Sequence, residues 1–133
     1  MSFFSVKHPV AVDPQILEQM RTRASEALRR LENTRNGQVI VFCTVGGREL
    51  CMTLLDALAS ESADEAAFWE RLVTSDDNAI RYLLCTWQSG EIDLPSHRVR
   101  TRLCEINAAN RDAAIIVPTE NGTSALRLGV TLA

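Results

Sequence analysis

The chain has 133 residues, 46% of them apolar and 23% charged, with a formal net charge of −3. At this length roughly two-thirds of the unfolded chain's surface can be buried, so one globular domain over residues 1–133 is expected, without disulfide or metal staples. Six Gly and four Pro exclude collagen-like and low-complexity chains, and the apolar fraction excludes intrinsic disorder.

The net charge hides an asymmetry. Residues 1–50 carry seven basic and five acidic groups, whereas residues 51–95 carry two basic against nine acidic, a local charge of −7. The rest returns to +2, with five Arg against three acids. Thirteen of the fourteen basic residues are Arg, a bias that accompanies GC-rich bacterial coding sequences.

The N-terminal run through Phe3, Phe4 and Pro9 lacks the basic and continuous apolar regions of a secretory signal. No apolar run approaches the roughly 20 residues that span a bilayer, so a cytoplasmic protein without membrane contact is expected. Cys43, Cys51, Cys85 and Cys104, spaced by 8, 34 and 19 residues among apolar neighbours, read as free thiols.

Asp13-Pro14 is an N-cap followed by proline at the first helical position. From there Ile16, Leu17, Met20, Ala24, Ala27, Leu28 and Leu31 recur at helical spacing, with Arg29, Arg30 and Arg35 toward the end and Asn36-Gly37 as the stop. Val39–Val45 is apolar at nearly every position and reads as a strand buried on both faces. Gly46-Gly47 ends it, and Leu50, Leu54, Leu55 and Leu58 suggest a helix from about Arg48 to Ala59.

Ser62-x-x-Glu65 has the form of a capping box and opens a helix through Phe68, Trp69 and Leu72. Asp76 or Asp77 caps a further predicted helix carrying Ile80, Leu83, Leu84 and Trp87, closed by Ser89-Gly90. Pro95 starts another with Val99, Leu103 and Ile106. Ala113–Val117, the Asn121-Gly122 turn and Ser124–Leu132 then form a hairpin.

This order predicts an α+β fold: about five helices on one side of a small, mostly antiparallel three- to four-stranded sheet with a C-terminal β-hairpin. In such a sheet the Val39–Val45 strand keeps one edge open. The N-terminal segment, Phe3–Val6 or Val10–Val12, could cover that edge, or another chain or a second copy could pair with it.

For chemistry, the strand-to-helix turn at Gly46-Gly47, with Arg48 and Cys51, is the best local anion- or ligand-binding geometry. No nucleotide-binding glycine motif accompanies it. Cys51 with His97 is a weak nucleophile–base candidate, and His97 with Cys104 share a helix face but make only two metal ligands. The H-x-E and P-C-x-x-C pattern of zinc deaminases is missing. Neither a catalytic residue, a metal nor a cofactor is therefore expected. Arg98, Arg100, Arg102 and Arg111 form a loose basic group without any nucleic-acid-binding motif, so nucleic acid is not favoured as a partner.

The acidic middle is the most distinctive feature. Glu61, Asp64, Glu65, Glu70, Asp76 and Asp77 would form a negative helical face that docks a basic protein. The leading expectation is thus a non-catalytic protein-binding module, a small bacterial immunity, inhibitor or escort protein. The alternatives are a small enzyme or anion-binding domain at Gly46, Gly47, Arg48 and Cys51, and a self-associating structural subunit.

Overall fold

A computed structural model describes residues 3–31 and 36–132. Among them are three α-helices, two short 3-10 helices and one five-stranded mixed sheet. This corrects the expected five helices on a three- to four-stranded antiparallel sheet.

Helix α1, Pro14–Arg30, starts where the cap predicts: the Asp13 carboxylate accepts the Gln15 N–H at 2.9 Å. The expected continuation through Arg35 lies outside the described residues. Strand β1, Gln38–Thr44, is buried at every position. The next two elements depart from their predicted type. The segment expected as a helix from Arg48 to Ala59 is strand β2, Glu49–Leu54, and the one expected to hold Ile80–Trp87 in a helix is strand β3 over those same residues. Leu50 and Leu54 are four apart, a spacing that suits a helix stripe and equally one face of a strand. Tyr82, Leu83, Leu84 and Cys85 are consecutively buried, as a central strand covered on both faces requires.

Helix α2, Ala63–Thr74, lies between β2 and β3, and helix α3, His97–Ile106, follows β3. Strands β4, Ala114–Thr119, and β5, Gly122–Arg127, form the C-terminal hairpin; the expected extension to Leu132 is instead a 3-10 turn over Leu128–Leu132. The spatial order is β2-β1-β3-β4-β5, with β3 and β4 parallel and all other pairs antiparallel. Strand β1 therefore has both edges paired, and the sheet edges are β2 and β5. The N-terminal arm reaches the hairpin: Phe4 N–H donates to the Pro118 carbonyl at 2.9 Å and Val10 N–H to the Ala125 carbonyl at 2.8 Å.

The helices cover both faces of the sheet. Met20 and Ala24 of α1 pack on Val39, Val41, Tyr82 and Leu84, while Phe68, Trp69 and Leu72 of α2 and Val99 and Leu103 of α3 pack on Ile40, Phe42, Leu83 and Ile115. Two-sided covering explains the near-continuous apolar runs of the central strands. No helix among the described residues is long and apolar enough to cross a membrane.

Candidate functional site

Two candidate places on this frame, among the described residues, bring charged side chains together beside a cavity. The first is the junction of α2 and α3. Ser62 caps α2, accepting the Glu65 N–H at 3.1 Å, and Ser96 caps α3, accepting the Val99 N–H at 3.3 Å. Each cap leaves a charged residue in the first helical turn, Glu65 on α2 and Arg98 on α3. The Glu65 side chain is 2% exposed. It accepts two hydrogen bonds from the Arg98 guanidinium, one of them at 2.9 Å from Nη2 to Oε1, and a third from Trp69 Nε1 at 2.9 Å. Burial pushes this carboxyl up, but the hydrogen bonds from Arg98 and Trp69 and the nearby positive charge outweigh it and hold it below its ordinary value. Glu61 lies 4.0 Å from the same guanidinium. A shallow cavity of about 360 Å³ opens beside the pair, lined by Glu61, His97, Arg98, Thr101, Arg102 and Glu105.

The second place is the β2 edge. The turn from β1 leads into a strand and not a helix, so no helix N-terminus stands at Gly46-Gly47. The Gly46 N–H donates to Asp77 Oδ1 at 3.0 Å, and Thr44 Oγ1 donates to the other carboxylate oxygen at 2.5 Å. Gly47, at φ +91°, supplies the left-handed turn residue. Arg48 and Cys51, by contrast, line one cavity of about 220 Å³ together with Arg23, Arg71, Phe68 and Ser75. Arg48 Nη1 donates to Ser75 Oγ at 3.1 Å. A neighbouring cavity of about 580 Å³ between α1 and β2 shares Arg23 and Cys51 and adds Arg30, Thr53 and Leu55. Burial pushes the Cys51 thiol up, with Arg23 partly opposing it.

The acidic residues expected to form one docking face divide among several roles. Glu65 is buried and paired, and Asp77 is spent on the β1–β2 turn, while Asp64, Glu70 and Asp76 are exposed. Among the basic residues, Arg98 serves Glu65, and Arg100 donates to the Pro95 and Thr131 carbonyls at 2.9 and 2.8 Å. Cys51 packs with the α1-side core, whereas His97 sits on α3 beside Thr101, so the two line separate cavities. Arg23, Arg71 and Ser75 carry no shared sequence signal, because Arg23 lies in α1 whereas Arg71 and Ser75 lie at the C-terminal end of α2. The Glu65–Trp69 contact did leave a local trace, the four-residue helical spacing.

No protein-family model matches the chain. No curated protein matches it by sequence. The fold is similar to solved structures of cytidine deaminases. A point mutant of the Mycobacterium tuberculosis cytidine deaminase superposes with a TM-score of 0.62 at 19% identity, covering 92% of this chain and 93% of that chain. The cytidine deaminase from Mycobacterium leprae gives 0.59 at 15% identity, covering 87% and 96%. This likeness overturns the expectation of a non-catalytic immunity, inhibitor or escort protein, since the neighbours sharing the architecture are small-molecule enzymes. The alternative of a small enzyme or ligand-binding domain accords with it better.

A deaminase fold implies zinc, and the residues of this chain do not fit that metal. Zinc deaminases take their ligands from H-x-E and P-C-x-x-C segments. Laid on this chain with Glu65 as the glutamate of the first segment and Pro95 as the proline of the second, the pattern puts its ligands at Ala63, at the start of α2, and at Ser96 and Val99, at the start of α3. A methyl, a hydroxyl engaged in capping and a fully buried isopropyl group make no zinc site. Among the described residues no group of three His, Cys, Asp or Glu side chains could hold a metal.

Proposed function

We propose that this chain is a small-ligand domain on the deaminase fold, taking an anion-bearing molecule in the paired cavities at the β2 edge. The observation that carries this is the convergence of Arg23, Arg48 and Arg71 on one cavity whose lining holds a single carboxylate, Glu49, which lies 4.0 Å from Arg23. Guanidinium groups match phosphate and carboxylate oxygens in a planar, bidentate way. The adjoining space of about 580 Å³ has the size of a small-molecule site. Because the structural neighbours are cytidine deaminases, a pyrimidine nucleoside phosphate is the first ligand class to test. Its phosphate would sit among the arginines and its body in the larger cavity. The free cysteines support a reducing, cytoplasmic setting.

Calorimetric titration with inorganic phosphate, cytidine and cytidine monophosphate tests this reading. The monophosphate is expected to bind tightest, and Arg48→Ala or Arg71→Ala to weaken it roughly tenfold each. Absence of binding by all three, or affinity indifferent to both substitutions, overturns it.

A second reading, hydrolytic deamination of cytidine, is favoured by one observation: a buried glutamate, Glu65, stands in the first turn of α2 and can be set in register with the glutamate of the H-x-E pattern. The missing zinc ligands and the Arg98 pairing count against it. No cytidine turnover is expected with zinc supplied.

A further inference from the structure

The α2–α3 junction holds the most unusual electrostatic arrangement of the described residues. An arginine in the first turn of a helix faces the positive end of the helix dipole, so nothing local to α3 favours Arg98 there. Its position is explained across the junction, by Glu65 with Glu61 beside it. That carboxylate is almost fully removed from water, and a buried charge of this kind persists only when it is paired and hydrogen-bonded. Arg98 supplies the pairing, two donors and the opposite charge, and Trp69 supplies a further donor.

The zinc-deaminase pattern pairs an H-x-E segment with a P-C-x-x-C segment, and one segment can be laid on each of these two helix starts. In the register set by Glu65 and Pro95, Arg98 falls between the two positions where that pattern has cysteines, Ser96 and Val99. We infer that the Arg98 guanidinium replaces the metal as the cation that ties the starts of α2 and α3 together, making this a metal-independent domain built on a metalloenzyme fold. Glu65 thereby keeps a compensating positive charge where no set of three metal-ligating side chains stands among the described residues. Glu61, 4.0 Å from Arg98, adds a second carboxylate to the same cation. A divalent ion entering the junction would meet that guanidinium, and would find one capping hydroxyl and two hydrocarbon side chains where its ligands should be.

The test uses the whole chain, expressed with zinc in the medium, and reads metal content and thermal unfolding. Zinc is expected well below one equivalent, with an unfolding midpoint unmoved by EDTA or by added zinc. Arg98→Ala is expected to lower the midpoint by about 5 °C or more, with no restoration by zinc. Glu65→Gln combined with Arg98→Met removes both charges at similar volume and is expected to recover much of that loss. Stoichiometric zinc in the purified chain, a midpoint lowered by EDTA, or an Arg98→Ala midpoint equal to the parent overturns the inference. So does a double variant that unfolds as readily as Arg98→Ala. Because metal content is read on the unmodified chain, the test stands even where Arg98→Ala fails to fold. It is also independent of ligand binding at the β2 edge.

Discussion

Glu65 and Arg98 lie 33 residues apart in the chain and meet through two hydrogen bonds at the junction of two helix starts. The pair is asymmetric: Glu65 is buried, whereas the Arg98 side chain is 39% exposed. Breaking it from the arginine side therefore leaves the costlier orphan.

The acid limb of the stability profile should carry Glu65. Its folded carboxyl is held below the ordinary value of 4.5, so it contributes stability that is fully present above that value. This contribution fades as pH falls through the lowered folded value. Urea denaturation followed from neutral pH down to about pH 3 should show a shallower acid loss for Glu65→Gln than for the parent chain. Equal acid slopes would contradict the assignment.

Asn110 should be among the least replaceable polar residues. It is fully buried; its Oδ1 accepts the Ile80 N–H at 2.7 Å, and its Nδ2 donates to the Leu103 carbonyl at 2.9 Å and the Asn78 carbonyl at 3.2 Å. One side chain thus ties the start of β3 to the end of α3. Asn110→Ala strips the Ile80 N–H of this acceptor and the Leu103 carbonyl, which still accepts the Asn107 N–H, of one of its donors, and is expected to cost about 3 kcal/mol or more by chemical denaturation. A loss under about 1 kcal/mol would show that the groups find other partners.

Cys51 should react slowly at neutral pH despite lining both cavities. Burial keeps its thiol above the ordinary value of 9.0, so little thiolate is present near neutrality. Alkylation monitored by mass spectrometry should accelerate as pH rises past that value, and a ligand occupying the cavity should slow it. Rapid alkylation of Cys51 at neutral pH would point instead to an activated nucleophile.

Gly46→Ala should loosen the β1–β2 turn. A Cβ at Gly46 would stand 2.7 Å from the Asp77 Oδ2 atom, and that carboxylate is held by Thr44 and by Gly46 itself. The carboxylate must move and lose these bonds, at an expected cost of about 1–2 kcal/mol. An unchanged midpoint would mean that Asp77 swings away freely.

Much of the local structure was legible without coordinates, because it depends on neighbours in sequence. Asp13-Pro14 and Ser62 start their helices through side-chain oxygens that reach backbone N–H groups two and three residues on. The stripe from Ile16 to Leu31 names the face α1 buries, and Asn121-Gly122 marks the hairpin turn. Strand β2 resembles a helix because Leu50 and Leu54, four apart, suit a helix face and a strand face alike, and β3 resembles one because a strand buried on both faces is apolar at consecutive positions such as Leu83 and Leu84. Only the pairing of both strands with β1 decides between them.

The candidate site divides along the same line. By itself the sequence determined that residues 51–95 are strongly acidic, that Arg dominates the cations and that zinc-ligand patterns are missing, since these are properties of composition and spacing. Tertiary structure decided what those charges do. It buried Glu65 against Arg98, spent Asp77 on a turn, and gathered Arg23, Arg48 and Arg71 from three segments around Cys51. A charge's role depends on its solvent exposure and on partners far away in the chain, and both are set only when the sheet brings α1, α2 and α3 onto its two faces.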